Sequence, residues 1–170
     1  MKIQILGHSA SGKSTFAKKI ASLYGLTPTY IDRIAWGKNW TFNDDETINK
    51  GLDEVLQQDA WVIDGNYSRF HVEKPLDDAD CIYIFLFNRF RCLRNAFKRT
   101  KQYKHQSRES MGDECPEKLD LAFIWWILHK GRSKKQRKFY RNVIDTHASK
   151  VVVFKNHKQV ENYLKLMQSK

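Results

Sequence analysis

The sequence of 170 residues predicts an α/β protein with a five-stranded, mostly parallel sheet and helices on both faces. Short apolar runs alternate with stretches of helical periodicity along the chain, which is the order that parallel sheets require. The run 80–87 is almost continuously apolar and β-branched, as expected of a strand buried on both faces. Because no internal repeat or low-complexity stretch divides the chain, we expect one domain over 1–170.

The strands and helices can be assigned from the local spacing of apolar residues. Five apolar runs predict the strands 2–6, 29–32, 60–64, 80–87 and 150–154. Apolar residues three and four positions apart predict the helices 13–24, 44–58, 89–102, 117–130, 133–147 and 157–168. The polar interval 103–116 contains Gly112 and Pro116 and is expected to be a mobile excursion from the domain, which we call the lid segment.

The net charge of +11 is concentrated in the second half of the chain. Residues 1–87 hold 9 Lys and Arg against 12 Asp and Glu, whereas residues 88–170 hold 21 against 7. The tracts 88–108 and 130–141 carry eight and seven cations and no acid. Such clusters suit a polyanion, either nucleotide phosphates or a nucleic-acid backbone; a solvated basic face is the alternative.

Several classes of protein are disfavoured by composition. The longest apolar run, 121–128, is far shorter than the ~20 residues that span a bilayer, and the N-terminal apolar run is too short for a signal peptide. Cys81, Cys92 and Cys115 lack the close pairing of metal or redox motifs and are predicted to be reduced thiols. We therefore expect a cytoplasmic protein that does not enter membranes.

The segment between the first strand and the first helix fits the phosphate-binding pattern G-x-x-x-x-G-K-[ST]. Glycines let successive N–H groups point at phosphate oxygens, and the helix N-terminus adds partial positive charge. Lys13 is expected to bridge the β- and γ-phosphates of ATP, and the Ser14 hydroxyl to ligate Mg²⁺. The predicted ATP-binding residues are Gly7, His8, Ser9, Ala10, Ser11, Gly12, Lys13, Ser14 and Thr15.

Two acids close predicted strands at the edge where parallel sheets bind ligands. Asp64 is followed by Gly65, which allows close backbone approach, so we assign Asp64 with Ser14 to the metal or its water shell. Asp32 is better placed to face a second substrate. Either carboxylate is a candidate to accept the proton of an acceptor hydroxyl, and capping of the following helix is the alternative role for both.

The basic tracts supply candidates for stabilising charge during phosphoryl transfer. Arg99, Arg132 and Arg137 are the arginines that we expect to act catalytically together with Lys13. In the helix 89–102, spacing places cations on one face and Phe90, Leu93 and Phe97 on the apolar face. The apolar residues 123–127 predict a packing helix, and Trp36 and Trp40 are either core residues or a surface on which a planar substrate group stacks.

The sequence resembles the bacterial DNA topology modulation proteins, a small branch of the adenylate-kinase-like P-loop kinases, over nearly its whole length. The marks of this resemblance are the motif at 7–15, Ile31-Asp32 with Trp36 and Trp40, the run Trp61-Val62-Ile63-Asp64-Gly65-Asn66-Tyr67, Cys92-Leu93 with Lys98-Arg99, and Cys115-Pro116-Glu117-Lys118-Leu119-Asp120 leading into Phe123 and Trp126. The run Asp64-Gly65-Asn66-Tyr67 looks like the Asp-Gly-Phe-Pro-Arg turn of adenylate kinases.

This resemblance implies a nucleoside- or shikimate-kinase-like fold, ATP on the loop, an acceptor-binding segment at 33–59 and an arginine-bearing lid. Four positions depart from the family pattern, and all of them lie on the lid side. They are Asn95 in place of an arginine, Glu109-Ser110 in place of Pro-Asp, Glu114 in place of glycine, and Lys135-Gln136 in place of Arg-Pro. The resemblance therefore implies phosphate binding more firmly than efficient catalysis.

The leading hypothesis is a kinase that transfers the γ-phosphoryl group of Mg²⁺-ATP to an unidentified small acceptor. Simple hydrolysis of ATP is a weaker variant of the same chemistry. The alternative from a different class is a nucleotide-gated nucleic-acid-binding protein that influences DNA topology through 88–108 and 130–141. No helix-turn-helix, zinc-finger or aromatic RNA-binding motif supports specific nucleic-acid readout.

Overall fold

A five-stranded parallel sheet forms the centre of the computed structural model, which describes residues 1–66, 73–104 and 106–169. Its strands lie in the order β2-β5-β1-β6-β7. The strands of the chain are β1 (Lys2–Gly7), β2 (Pro28–Tyr30), β3 (Trp36–Gly37), β4 (Thr41–Phe42), β5 (Trp61–Asp64), β6 (Cys81–Phe85) and β7 (Val151–Phe154). Strands β3 and β4 form a separate antiparallel hairpin. The predicted α/β class with a five-stranded parallel sheet is confirmed.

Helices cover both faces of this sheet. They are α1 (Lys13–Leu23), α2 (Ile31–Ala35), α3 (Asp45–Leu56), α4 (Glu73–Asp78), α5 (Arg89–Gln102), α6 (Leu121–Leu128), α7 (Lys134–Thr146) and α8 (His157–Gln168). Side-chain caps explain several starts: the Asp44 carboxylate accepts from Thr47 N at 2.8 Å, and Asn156 Oδ1 accepts from Gln159 N at 3.0 Å. The predicted bounds of α5 and α8 agree with the structure.

Successive side chains of the central strands point to opposite faces of the sheet, so the core consists of two layers. Ile3 and Ile5 of β1 face one layer, which α1, α5, α6 and α8 complete. Leu6 faces the other layer, which α2, α3, α4 and α7 complete. Trp61, Val62 and Ile63 of β5 are all at most 2% exposed because the strand is covered on both sides.

The second predicted strand ends earlier than its pattern suggests, and the prediction that Asp32 closes it is wrong. Tyr30 is the last extended residue, and Ile31 begins the short helix α2. Ile31 turns inward under Gly65, where a Cβ added to the glycine would lie 2.7 Å from Ile31 Cβ. Asp32 consequently lies in the first turn of α2, still beside the carboxyl edge of the sheet.

Two predicted helical faces also need correction. Phe90 and Phe97 are 69% and 55% exposed, so they do not form the apolar face of α5, which Cys92 and Ala96 provide instead. The helix predicted over 117–130 is shortened to α6, because Asp120 caps its first turn by accepting from Phe123 N at 2.8 Å. On α6, Trp125 and Trp126 are 59% and 42% exposed rather than buried.

The lid segment packs against the β3–β4 hairpin, and its predicted mobility stays a prediction. Ser110, Met111 and Cys115 are buried, and Cys115 Sγ donates to Gly37 O at 3.1 Å. A Cβ added to Gly112 would lie 1.8 Å from Trp36 O, so the two backbones touch directly. The three cysteines are free, and no helix of the described residues is long and apolar enough to cross a membrane.

Candidate functional site

The loop 7–15 leaves the centre of the sheet and enters α1 through two glycines with left-handed backbone. Gly7 has a φ of 139°, and a Cβ there would lie 2.4 Å from Phe85 O. Gly12 has a φ of 97° and is the N-cap of α1, with no side chain capping the helix. The first N–H groups of α1 are thus directed at the loop, which is the geometry of an anion-binding helix start.

Ser14 and Asp64 meet beneath this loop. The Ser14 hydroxyl donates to Asp64 Oδ2 at 2.7 Å, and Lys13 Nζ donates to His8 O at 3.1 Å. Strand β5 pairs with β1 so that Asp64 lies opposite Ile5, two residues before Gly7. The structure therefore brings together three residues that the sequence predicted for ATP and Mg²⁺: Lys13, Ser14 and Asp64.

Asp64 lies in surroundings that disfavour its charge. Burial raises the pKa of the Asp64 carboxyl, while Lys13 and the Ser14 hydrogen bond act in the opposite direction. Its second oxygen, Oδ1, is buried and accepts no hydrogen bond from the residues that the structure describes. An orphaned carboxylate oxygen beside a serine hydroxyl fits Mg²⁺, a hard cation that prefers oxygen ligands.

Mg²⁺ at this position would need further ligands from outside the chain. Within 1–66, 73–104 and 106–169, no group of three or more His, Cys, Asp and Glu side chains could hold a metal. Nucleotide phosphates and water are the usual source of the missing oxygens. Ser14 and Asp64 are thus the residues that would hold the ion together with a bound nucleotide.

Two asparagines fix the shape of the loop. Gly7 N donates to Asn66 Oδ1 at 2.7 Å, and Asn66 Nδ2 donates back to Gly7 O. On the opposite side, Asn95 Nδ2 donates to Ala10 O at 3.0 Å. Both positions appear in the resemblance, Asn66 within the run Asp64–Tyr67 and Asn95 as a departure from the family pattern. The spacing of the sequence does not predict that either side chain contacts the loop.

His8 occupies a buried position inside the loop and remains neutral. Burial, followed by the charges of Arg132 and Lys13, lowers the pKa of His8 to about 3. Its ring meets Tyr140 edge-on with centroids 5.4 Å apart. Arg132, between α6 and α7, donates to Ile127 O at 2.9 Å and to Cys92 Sγ at 3.3 Å, which holds its charge close to the loop.

Arg99 approaches the site from α5 and shares a buried carboxylate with a second arginine. Arg99 Nε lies 2.7 Å from Glu117 Oε1, and Arg108 Nε lies 2.6 Å from Glu117 Oε2. Burial and the charge of Arg108 lower the pKa of Arg99, whereas Glu117 and, more weakly, Asp32 act in the opposite direction. The charge of Asp32 also adds to the effect of burial on Asp64, so Asp32 lies near this region. The sequence predicts no catalytic role for Arg108 or Glu117, although the run 115–120 marks the family resemblance.

Arg137 is exposed on α7, and its catalytic role stays a prediction. Its backbone N–H donates to Ser133 O at 3.0 Å. The inward residues of the same helix are Tyr140 and Val143. Arg137 lies three residues before Tyr140, on the same side of α7 but one turn nearer the N-terminus, where side chains are more exposed.

The predicted acceptor segment 33–59 contains an aromatic hairpin beneath the lid segment. Trp36 meets Trp40 and Phe42 edge-on, with centroids 5.7 and 5.0 Å apart. Trp40 Nε1 is buried and has no hydrogen-bond partner among the described residues, and Lys118 Nζ lies 4.7 Å from the Trp40 ring centroid. Both tryptophans thus belong to the contact between the hairpin and the segment that follows α5.

Comparison with known proteins shows only the fold of this chain. No family model and no curated protein matches the chain. Among solved structures, the chain is similar to an uncharacterized protein from Eubacterium ventriosum ATCC 27560, with a TM-score of 0.51, 16% identity and 99% of each chain covered. At this identity the likeness shows a shared α/β architecture over the full length of both chains.

Proposed function

We propose that this protein is a kinase that transfers the γ-phosphoryl group of Mg²⁺-ATP to a small acceptor. The observation that carries the proposal is the contact of Ser14 with Asp64, 2.7 Å, at the glycine-bounded start of α1. Nucleotide-binding loops use this combination of hydroxyl, carboxylate, lysine and helix N-terminus to bind phosphate with its metal. The motifs at 7–15 and 64–67 further support placing the chain among the small adenylate-kinase-like proteins.

In this scheme the chain contributes position and charge rather than a covalent nucleophile. Lys13 would leave the His8 carbonyl and bind phosphate oxygens, and bound Mg²⁺-ATP supplies the phosphoryl group with its charge partly neutralised. Arg99 and Arg108 share Glu117, and the charge of Arg132 acts on His8 of the loop, so these arginines are the ones proposed to stabilise charge on the transferring group. Asp32 is the residue proposed to accept the acceptor's proton, because Asp64 is engaged with Ser14.

The test is a product assay with a matched pair of lysine variants. Purified protein is incubated with Mg²⁺-ATP and a panel of nucleosides, nucleotides and small alcohols, and phosphorylated products are detected by mass spectrometry. Lys13→Ala should abolish product formation, whereas Lys19→Ala, which removes an exposed lysine of the same helix, should not. Product formation that survives Lys13→Ala would overturn the proposal.

A second candidate function, nucleic-acid binding, is favoured by one surface of α5. Phe90 and Phe97 are exposed there beside the exposed cations Arg94 and Lys98. Exposed aromatic rings between cations suit stacking on the bases of a single strand. Not all of the basic tract is available for this purpose, since Arg99 is engaged with Glu117.

This candidate predicts a specific binding deficit. Loss of both rings in Phe90→Ala/Phe97→Ala should weaken binding of a fluorescent single-stranded oligonucleotide by about tenfold or more per ring, measured by anisotropy. Leu166→Ala, which removes a side chain of similar exposure on α8, is the control. Equal affinities of the three proteins, or binding that does not weaken with salt, would exclude the candidate.

A further inference from the structure

Glu117 directly follows the lid segment and has a deeply buried charged side chain. Its side chain is 3% exposed, against 21% for Arg99 and 15% for Arg108. Each carboxylate oxygen accepts from a different arginine: Oε1 lies 2.7 Å from both Arg99 Nε and Arg99 Nη2, and Oε2 lies 2.6 Å from Arg108 Nε. One carboxylate therefore fixes two guanidinium groups relative to each other.

The two arginines come from different parts of the chain. Arg99 belongs to α5, while Arg108 belongs to the lid segment, where its Nη1 also donates to Ser110 Oγ at 3.0 Å. The backbone of Glu117 is anchored as well, since its N–H donates to Gln106 O at 2.9 Å and it pairs with Lys104 in an isolated parallel bridge. Glu117 thus has a fixed main chain from which its side chain reaches both arginines.

The part of α5 that carries Arg99 lies against loop 7–15, because Asn95, one turn earlier, donates to Ala10 O at 3.0 Å. The charge of Arg108 acts on Asp64, and the charge of Asp32 acts on Arg99. Two like charges this close repel each other, which is seen in the contribution of Arg108 to lowering the pKa of Arg99 after the larger effect of burial. A carboxylate between them offsets that repulsion and sets the direction of each planar group.

We propose that Glu117 is a positioning residue, which holds Arg99 and Arg108 together in the orientation that binds the transferring phosphoryl group. The proposal rests on the proposed kinase function and names a residue that acts only through the two arginines. Its consequence is selective: Glu117 should matter for the group in transfer and much less for the phosphates that loop 7–15 holds. A buried ion pair with a purely structural role would show no such selectivity.

The experiment measures two affinities in each protein by titration calorimetry. The first is the affinity for Mg²⁺-ADP, and the second is the affinity for Mg²⁺-ADP with fluoroaluminate, an analogue of the transferring phosphoryl group. In Glu117→Gln the second affinity should fall by about 10- to 100-fold, the effect expected for charge-assisted hydrogen bonds that lose their alignment. The first should change by less than about threefold, within the ordinary effect of a remote substitution.

Glu109→Gln is the matched control, because it removes the same charge from the same lid region. Glu109 follows Arg108 in the chain, but its side chain is 56% exposed and pairs with Lys18 at 2.6 Å, whereas both arginines pair with Glu117. We expect both affinities to equal those of the wild-type protein. A loss of fluoroaluminate affinity in Glu109→Gln as large as that in Glu117→Gln would overturn the proposal, since lid charge alone would then explain the effect.

The triple variant Arg99→Gln/Arg108→Gln/Glu117→Gln keeps the test decisive if Glu117→Gln unfolds, because it removes every member of the buried cluster. If Glu117 acts only through the two arginines, the triple variant should lose no more fluoroaluminate affinity than Arg99→Gln/Arg108→Gln. Additive losses, or parallel losses of both affinities in Glu117→Gln, would overturn the positioning role. Failure of the kinase proposal is distinct: wild-type protein and Lys13→Ala would then bind nucleotide equally weakly.

Discussion

At the residue scale, Gly7 shows how closely loop 7–15 is fitted to the sheet. Its φ of 139° suits glycine, and a Cβ would lie 2.4 Å from Phe85 O. Gly7→Ala should therefore lower the free energy of unfolding by about 3 kcal/mol or more, measured by urea denaturation. Gly25→Ala is the control, because Gly25 has a φ of 65° with nothing within 4 Å of an added Cβ, and should cost only about 1 kcal/mol.

His8 predicts a pH dependence of stability. Its pKa is about 3 in the folded protein, against a usual value of 6.5, so the unfolded chain binds the proton more readily. The stabilising contribution is complete above pH 6.5 and is lost as the pH falls toward 3. Between pH 7.5 and 5 this amounts to about 2 kcal/mol, from ~1.4 kcal/mol for each pH unit below the unfolded pKa.

Denaturant unfolding at several pH values checks this dependence. His8→Asn should remove about 2 kcal/mol from the difference in stability between pH 7.5 and 5, whereas His129→Asn, at an exposed position, should leave it unchanged. Identical pH profiles of His8→Asn and the wild-type protein would contradict the assignment of a buried neutral imidazole.

Residues whose role depends on local spacing could be predicted from the sequence, and residues that depend on long-range contacts could not. Lys13 and Ser14 follow from the pattern of one loop, and their contacts lie within a few residues or at the end of the neighbouring strand. Glu117 pairs with Arg99 across 18 residues, and nothing in its local sequence distinguishes it from a solvated acid. Its position between two basic tracts, and its place in the run 115–120 that marks the family resemblance, were the available signals.

At the element scale, the lid segment depends on contact between two backbones. Gly112→Ala would place a Cβ 1.8 Å from Trp36 O and should separate the lid segment from the hairpin. Because local opening exposes nearby peptide bonds, we expect trypsin to cleave within 101–108 about tenfold faster. Gly51→Ala is the control: its Cβ would meet only the Ile34 side chain, with Cγ2 at 2.9 Å, and no atom of the lid segment. Unchanged cleavage of Gly112→Ala would show that the contact does not restrain the lid.

The sequence predicted where helices begin and end better than it predicted which of their faces are exposed. Helix α5 begins and ends as predicted, because Asn88 caps it by accepting from Phe90 N at 2.9 Å and its interior has no glycine or proline. The prediction of which face of α5 is buried was wrong, because Phe90 and Phe97 are more strongly apolar than Cys92 and Ala96, which are the buried residues. Small side chains allow α5 to lie close to the sheet, and apolar spacing cannot show this.

At the scale of the whole molecule, the order of strands and helices was sufficient to predict the sheet. The central strand β1 pairs in parallel with β5 and β6, and alternation along the strands divides the core as expected. The packing of the lid segment on the hairpin joins Gly37 to Cys115, 78 positions apart, and no pattern within either segment anticipates it.

Nucleotide binding should be measurable as stability of the whole domain. A ligand that binds the folded protein at 100 times its Kd adds about 2.7 kcal/mol, which corresponds to a rise in Tm of about 5–10 °C for a chain of this size. We expect this rise for Mg²⁺-ATP in a thermal shift assay and its loss in Lys13→Ala, with Lys19→Ala as the control. No rise at saturating Mg²⁺-ATP would argue against nucleotide binding by this loop.

The contact between Trp126 and loop 7–15 makes the protein a potential optical sensor of its own occupancy. Trp126 Nε1 donates to Ser9 Oγ at 3.2 Å, while the indole remains 42% exposed. Indole emission depends on local polarity and charge, so phosphates arriving on the loop should change its intensity and wavelength. The change in emission on ligand binding should disappear in Trp126→Phe. It should persist in Trp125→Phe, because the Trp125 ring stacks on His129 instead. Ligand entry could then be followed in real time without any attached dye.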